Sequence, residues 1–199
     1  MEKKKIFSIL LILAVILIFF CVVLLPSKKE ETKEKNNLYS RRFDKTILKF
    51  QKYDDVLGQN MVVGVEKSTN HGKSYTKITK EAITVSQEAR FLFVSKSVGY
   101  VISTGYIMRN NDFKGFKVTL DGGKTFTDAK FYYENERVDL ITIEDFPYRD
   151  SDGLKLECSV YDVAEDGNGY EDKKIEFHSS DKGLTWYFIY PIDKQKNEK

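Results

Sequence analysis

The chain has 199 residues, of which 41% are hydrophobic and 31% charged, which suits one globular domain with a shorter accessory segment. Three Lys and one Glu lie in the first 27 residues, so the remainder carries 29 basic and 29 acidic residues. A formally neutral domain has no overall field to attract nucleic acid, and we predict no nucleic-acid partner. Cys21 and Cys158 lie in different segments, so no disulfide framework is expected, and Cys158 is predicted to be a small buried apolar residue.

An apolar segment of 20 residues runs from Ile6 to Leu25 without a charge, and only Ser8 in it is polar. A helix of this length spans about 30 Å, the hydrocarbon thickness of a bilayer. The three lysines before it favour a cytoplasmic N-terminus. We therefore predict a cytoplasmic tail over residues 1–5, a transmembrane signal anchor over 6–25, and a single-pass protein of the cell membrane with its C-terminal domain outside the cytoplasm.

Two other targeting signals fit this segment less well. The apolar core of a cleaved signal peptide has about 7–15 residues and ends at a small-residue site, whereas this core is longer and no A-x-A follows. A lipoprotein signal needs small residues before its cysteine, and here Phe19 and Phe20 precede Cys21. Residues 26–40 are mostly charged or polar and predict a linker, so the globular domain is expected over 41–199.

The beginning of this domain fits two kinds of secondary structure. Apolar residues between 41 and 53 recur near helical spacing, but residues 46–50 also fit a strand.

Three octets in the domain share one pattern: a hydroxyl residue, any residue, Asp or Asn, any residue, Gly, any residue, a hydroxyl residue and an aromatic residue. Their starts are separated by 51 and 60 residues. The residues at the specified positions are Ser68, Asn70, Gly72, Ser74 and Tyr75 in the first octet, Thr119, Asp121, Gly123, Thr125 and Phe126 in the second, and Ser179, Asp181, Gly183, Thr185 and Trp186 in the third.

The chemistry of the octet predicts a tight turn. An Asp or Asn side chain can accept hydrogen bonds from nearby backbone N–H groups, and Gly accepts the positive φ that closes the turn. The hydroxyl residues can add bonds between side chain and backbone. The final aromatic residue can cover the turn or pack into the core.

These octets resemble the Asp-box, or bacterial neuraminidase, repeat S-x-D-x-G-x-T-W of the sialidase and sortilin-like β-propeller superfamily. The third octet matches at every specified position, the second has Thr119 and Phe126 in place of Ser and Trp, and the first has substitutions at three positions. The resemblance implies that each octet joins the third and fourth strands of a blade, at the periphery, with a structural role. Residues 91–94, 99–102 and 115–118 fit the first three strands of one blade, and 125–131 fit its fourth.

The predicted fold class is therefore all-β, a propeller-like arrangement of about three four-stranded Asp-box blades preceded by one transmembrane helix. Propellers usually have 4–8 blades. A short fourth blade, association with another chain and an open arrangement all remain compatible with the sequence, and the oligomeric state stays open.

No catalytic residues and no cofactor are predicted. The resemblance implies, for a sialidase, an arginine triad, a Tyr–Glu nucleophilic pair and an Asp acid on six blades, and this domain has about half that size. Its two histidines, His71 and His178, lie in or directly before octets, and a G-x-S-x-G nucleophile elbow is absent.

Residues 162–172 are rich in acidic side chains and glycine. We predict a solvated hairpin loop, with no assigned metal site. Calcium is the alternative, because it prefers such oxygen ligands, and its candidate ligands are Asp162, Asp166, Asn168 and Asp172.

Four tyrosines, Tyr132, Tyr133, Tyr148 and Tyr161, could form an aromatic surface for a glycan or a protein, or pack in the core or as cross-strand pairs. The function predicted from the sequence is a membrane-anchored extracytoplasmic binding or interaction module, held in the membrane by residues 6–25, whose protein or glycan partner the sequence does not name. The alternatives are a membrane-tethered immunity or inhibitor protein and, less favoured because of size, a sialidase-like glycan-active enzyme.

Overall fold

A computed structural model of the chain describes residues 36–103, 106–108, 115–132, 140–163 and 170–189. These residues form β-strands and no helix, so the prediction of an all-β domain is confirmed for this part of the chain. Accordingly, none of them belongs to a helix long and apolar enough to cross a membrane. The predicted cytoplasmic tail, the anchor over 6–25 and residues 26–35 of the predicted linker lie outside the described residues.

The strands follow one another along the chain in three groups. The first five are β1 Asn37–Phe43, β2 Thr46–Val56, β3 Asn60–Ser68, β4 Thr76–Lys77 and β5 Ile83–Ser86. The next five are β6 Arg90–Phe93, β7 Gly99–Ile102, β8 Tyr106–Met108, β9 Phe116–Thr119 and β10 Thr127–Asp128. The last six are β11 Lys130–Tyr132, β12 Leu140–Ile143, β13 Tyr148–Asp150, β14 Gly153–Val163, β15 Tyr170–Ser179 and β16 Thr185–Ile189.

These strands form three sheets, which we call sheets A, B and C. Sheet A has the order β1-β2-β3-β4 with β5 also paired to β3, and sheet B has the order β10-β9-β7-β6. Sheet C has the order β11-β16-β15-β14-β12-β8, with β13 paired to β14. Each sheet thus contains four successive antiparallel strands: β1-β2-β3-β4, β6-β7-β9-β10 and β12-β14-β15-β16.

Sheet B lies between the other two, because its two faces belong to two different hydrophobic cores. Phe91, Phe93 and Val101 pack with the core of sheet A around Phe50. Tyr100 and its neighbours on the opposite face pack with the core of sheet C. All four residues of β7 are buried, which explains why this strand is a continuous apolar run without alternation.

The outer faces of sheets A and C are polar. On sheet A the Lys49 ammonium lies 3.1 Å from the Glu66 carboxylate, and on sheet C Lys155 lies 3.1 Å from Glu176. Sheets A and C therefore each bury one face and present a charged face, as the terminal layers of repeat proteins do.

Backbone hydrogen bonds hold two of the octets against chain that precedes them. The N–H of Lys80, after β4, donates to the carbonyl of Lys124 in the second octet at 2.9 Å. The N–H of Lys130, in β11 of sheet C, donates to the carbonyl of Leu184 in the third octet, also at 2.9 Å. The first bond therefore joins the segment after β4 of sheet A to the turn of sheet B, whereas the second lies within sheet C.

Two boundaries differ from the sequence-based expectation. Strand β1 begins at Asn37, inside the segment assigned to the linker, and residues 41–53 form strands on either side of a turn at Asp44, with no helix. The strand expected over 125–131 is divided between sheets. β10 remains in sheet B, whereas β11 pairs in parallel with β16, because fully buried Phe131 packs against Trp186 in the core of sheet C.

Candidate functional site

The three octets occupy equivalent places in the three sheets. They lie at the turns between β3 and β4, between β9 and β10, and between β15 and β16, which join the third and fourth strands of each four-stranded set. The turns differ in sequence at several positions but have the same hydrogen-bond pattern.

The second octet has the fullest set of these bonds. The Thr119 hydroxyl donates to Asp121 Oδ1 at 2.9 Å and accepts the N–H of Gly123 at 2.7 Å. The same Oδ1 accepts the N–H groups of Lys124 and Thr125, both at 3.0 Å, and the Thr125 hydroxyl donates to Oδ2 at 2.7 Å. Both oxygens of the Asp121 carboxylate therefore accept hydrogen bonds from donors within the same turn.

The other two octets repeat the pattern. In the third, Asp181 Oδ1 accepts the Ser179 hydroxyl at 2.8 Å and the Thr185 N–H at 2.9 Å. In the first, Asn70 Oδ1 accepts the N–H of Ser74 at 3.0 Å, and its amide donates to the Ser74 hydroxyl at 2.8 Å. An amide oxygen thus replaces a carboxylate oxygen in the bond to the backbone.

Two successive residues in each turn have positive φ. The octet glycines Gly72, Gly123 and Gly183 have φ of 91°, 94° and 90°. The residue before each also has positive φ, and two of these, His71 at 62° and Lys182 at 63°, are not glycine. His71 is therefore placed by the turn, where its N–H donates to the carbonyl of Lys45 at 3.1 Å.

The final aromatic residues have three different environments. Trp186 is fully buried, and its indole N–H donates to the Gly183 carbonyl at 2.9 Å. Phe126 is half-buried against the core of sheet A, and Tyr75 is exposed beneath the Lys49 ammonium, 4.5 Å from the ring centre. Only the third octet uses this position as a core residue of its own sheet.

Hydrogen bonding also changes the acidity of the octet carboxyls. Burial alone would raise the pKa of Asp121 and Asp181, but the hydrogen bonds from Thr125 and Thr185 and their neighbours hold each pKa below its usual value. A depressed folded-state pKa stabilises the fold above the unfolded-state pKa, near 4, and this stabilisation is lost as the pH falls through the folded-state value.

The Asp181→Ala substitution should lower the free energy of unfolding by about 1–2 kcal/mol, because buried and half-buried donors of the turn lose their acceptor. Asp181→Asn should be milder, since Asn70 already forms the corresponding turn in sheet A. Thermal and urea unfolding of the full chain in detergent, followed by circular dichroism, measures both. An unchanged stability in Asp181→Ala would show that the carboxylate does not hold the turn.

The outer face of sheet C carries two rows of side chains in register across neighbouring strands. The first, here the tyrosine row, crosses β13, β14, β15, β16 and β11 and consists of Tyr148, Lys155, His178, Tyr187 and Tyr132. The second, the glutamate row, consists of Glu144, Glu157 and Glu176; Glu157 lies opposite Glu176, and the Glu144 N–H donates to the Glu157 carbonyl at 3.4 Å.

An exposed aromatic pair ends the tyrosine row. Tyr132 and Tyr187 stack with ring centres 5.3 Å apart and planes inclined by 15°. Their side chains remain exposed, with 42% and 57% of the residue surface accessible. Tyr132 therefore lies in a cross-strand pair, one of the arrangements expected from the sequence, and the pair leaves aromatic surface in contact with solvent.

Glu176 is the centre of a polar network on this face, with 7% of its surface exposed. Its carboxylate lies 2.6 Å from His178 Nε2 and 3.1 Å from the Lys155 ammonium, which also lies 2.9 Å from Asp150. Burial would raise the pKa of Glu176, but the hydrogen bonds and charges of His178 and Lys155 hold it below its usual value. An ionised carboxylate only accepts hydrogen bonds, so His178 Nε2 carries the proton that lies between them.

Tyr148 joins the two rows. Its hydroxyl is 3.2 Å from Glu157 Oε1 and 3.2 Å from Glu176 Oε2. Burial, together with these two carboxylates, raises the pKa of Tyr148 to about 12. At neutral pH the phenol is therefore protonated and donates to a carboxylate.

Several candidates from the sequence lie outside the residues or the side chains that the structure describes. Asp166 and Asn168 lie outside the described residues, as does Tyr133, and the structure gives backbone pairing alone for Asp162, Asp172 and Tyr161. Within the described ranges there is no group of three His, Cys, Asp or Glu side chains that could hold a metal ion. Cys158 is fully buried in the core of sheet C, as expected, and burial raises the pKa of its thiol.

Sequence reasoning did not identify Lys155, Glu157 and Glu176 as site residues. A signal was present, because polar residues alternate with buried Leu156, Cys158 and Phe177 along β14 and β15. Alternation gives the face of each strand but not the register that aligns one strand with the next.

Neither a known protein family nor a curated protein sequence matches this chain.

Proposed function

We propose that the chain is a membrane-anchored binding module whose three-sheet domain lies outside the cytoplasm, and that the outer face of sheet C is its binding face. The observation that carries this proposal is the solvent-exposed Tyr132–Tyr187 pair beside an ordered network of charged side chains. Exposed tyrosines next to fixed polar groups are typical of protein-recognition surfaces, where a rigid ring contributes area and its hydroxyl contributes hydrogen bonds.

The polar groups of this face are held in place by one another. The Tyr148 hydroxyl lies 3.2 Å from a carboxylate oxygen of Glu157 and 3.2 Å from one of Glu176, so two acceptors fix the position of its ring. The Lys155 and His178 side chains are engaged by Glu176. The network thus holds side chains in fixed positions, as a recognition surface requires.

We also propose that the three octets are Asp-box turns with a structural role, in an open propeller-like arrangement. Support comes from their common place between third and fourth strands and from the shared hydrogen bonds of the Asp and Asn side chains. The charged outer faces of sheets A and C favour an open arrangement, because closing a ring would remove half-buried Glu66 and exposed Glu144 and Glu157 from water.

Protease added to intact cells should remove the domain and leave a small stub in the membrane. This follows from the 20-residue apolar segment behind three lysines, which predicts an uncleaved anchor with the domain outside. Immunoblotting with one tag at each terminus measures the result. A domain released in soluble form by signal peptidase would contradict the anchor, and a domain protected in intact cells would contradict the orientation.

The binding face is tested by recovering partners from the native membrane with the full chain in mild detergent. We expect a saturable partner that is retained by the wild type and lost in Tyr187→Ala. Tyr75→Ala is the matched control, because it removes an exposed tyrosine from the outer face of sheet A. Equal recovery by all three proteins would place the binding face elsewhere, and no saturable partner for any of them would contradict the binding function.

A further inference from the structure

Resting on the proposed binding function, we propose that the outer face of sheet C recognises a basic protein segment. In this interaction the carboxylates of Glu144 and Glu157 pair with Lys or Arg side chains of the partner. The Tyr132–Tyr187 rings contact the same segment beside these charges.

The first argument is that the Glu144 and Glu157 carboxylates form no ion pair within the described part of the chain, and that the nearby Arg90 guanidinium donates to the backbone carbonyl of Glu144, at 2.8 Å. Glu157 lies directly opposite Glu176, and like charges opposite one another in a sheet are destabilising. Glu176 forms an ion pair with Lys155 and a hydrogen bond with His178, whereas within the described residues Glu157 accepts a hydrogen bond from the neutral phenol of Tyr148. Glu144 and Glu157 are both exposed. A cation from a partner would neutralise this pair of carboxylates.

The second argument comes from two tyrosine rings on the outer face of sheet A, each of which has a lysine ammonium over it. On the outer face of sheet A, the Lys49 ammonium lies 4.5 Å from the centre of the Tyr75 ring, and Lys77 lies 4.2 Å from that of Tyr53. The chain thus supplies its own cation to the negative face of each ring. Among the described residues no cation lies over Tyr132 or Tyr187, although both are exposed.

The two features lie close enough to contact one short segment. Tyr187 is in β16 and Glu157 in β14, with β15 between them, and strands are about 4.8 Å apart, so the two backbones are separated by about 10 Å. An extended peptide advances about 3.5 Å per residue and covers this distance with about three or four residues. A neutral glycan would leave the glutamates uncompensated, and a nucleic acid would be repelled by them, so a basic peptide fits this face best.

The test uses the full chain in a neutral detergent and fluorescein-labelled deca-arginine as the probe, with deca-glutamate as the probe of opposite charge. The site variant is Glu144→Gln/Glu157→Gln, which removes two negative charges from the row and keeps the side-chain shape. The matched control is Glu81→Gln/Glu88→Gln, which removes two negative charges from exposed residues of the segments flanking β5. Fluorescence anisotropy at about 0.1 M salt measures the dissociation constants, and circular dichroism checks folding.

We expect the site variant to raise the dissociation constant for deca-arginine about tenfold, since two partly exposed ion pairs are lost, and the control to change it by less than about twofold. Tyr187→Ala should weaken binding several-fold, and deca-glutamate should not bind. Equal weakening in the two double variants would show non-specific attraction and overturn the proposal, as would an unchanged affinity in the site variant. If either result is obtained and the recovery of a partner from the native membrane is still lost in Tyr187→Ala, the proposed binding function remains supported, but the partner is not a basic segment.

Discussion

The Gly123→Ala substitution should lower the free energy of unfolding by about 3–5 kcal/mol. Gly123 has φ of 94°, a conformation that costs an L-residue about 1–3 kcal/mol. A Cβ at this position would also lie 2.5 Å from Cγ2 of Val65, which is fully buried in the core of sheet A. Overpacking of a buried contact adds about 1–3 kcal/mol. Sheets A and B approach each other at this atom, so the added methyl group would separate the two layers.

Gly58→Ala is the matched control for this substitution. Gly58 also has positive φ, 80°, but a Cβ there would meet only the Asn60 side chain at an ordinary 3.7 Å. It should therefore show the conformational cost alone, about 1–2 kcal/mol. Urea unfolding of the full chain in detergent gives both values. Equal destabilisation by the two substitutions would mean that Gly123 is required for its backbone conformation and that the contact with Val65 relaxes without cost.

Trp186→Ala should destabilise the fold by about 3–5 kcal/mol, because it removes the largest side chain of the core of sheet C. The indole stacks on Phe131 with ring centres 6.1 Å apart and meets Phe116 of sheet B edge to face at 6.0 Å. Its N–H also satisfies the carbonyl of Gly183 within the third octet. The substitution therefore weakens the core, the junction of sheets B and C, and the turn.

Two further variants separate these contributions. Trp186→Phe retains an aromatic ring but loses the indole N–H, so it should cost about 1–3 kcal/mol, less than Trp186→Ala. Tyr187→Ala, the next residue along β16, removes an exposed ring and should cost less than about 1 kcal/mol. Because Trp186 is the only tryptophan, unfolding is followed by circular dichroism. A Trp186→Ala protein as stable as Tyr187→Ala would contradict the packing described for this core.

The features that follow from local sequence were the predictable ones. An octet contains both the donors and the acceptor of its turn within eight residues, so Asp121 and Thr125 could be matched from the sequence alone. The alternation of buried and polar residues likewise predicts which residues of β14 lie inside. Strand β1 was not predicted because it is an edge strand of mostly polar sequence, in which only Leu38 and Tyr39 of residues 37–40 pack against the core of sheet A.

The features that depend on distant contacts were not predictable. The alignment of Glu157 with Glu176 depends on the register of β14 against β15, and a shift of one residue would move one glutamate to the buried face. The transfer of β11 to sheet C depends on the position of Trp186, some 55 residues further along the chain. Of the pairings across the candidate binding face, that of Tyr132 with Tyr187 spans the longest separation, whereas Tyr148 with Lys155 and His178 with Tyr187 pair within hairpins.

The position of sheet B has a consequence for the unfolding pathway. Its strands have no core of their own, since Val101 completes the core of sheet A and the adjacent Tyr100 completes that of sheet C. Opening either outer sheet would expose one apolar face of the middle one, and opening sheet A would also break the bond from Lys80 to the second octet. Denaturation should accordingly be a single cooperative transition, and deleting any one sheet should leave an insoluble remainder in place of a smaller folded domain.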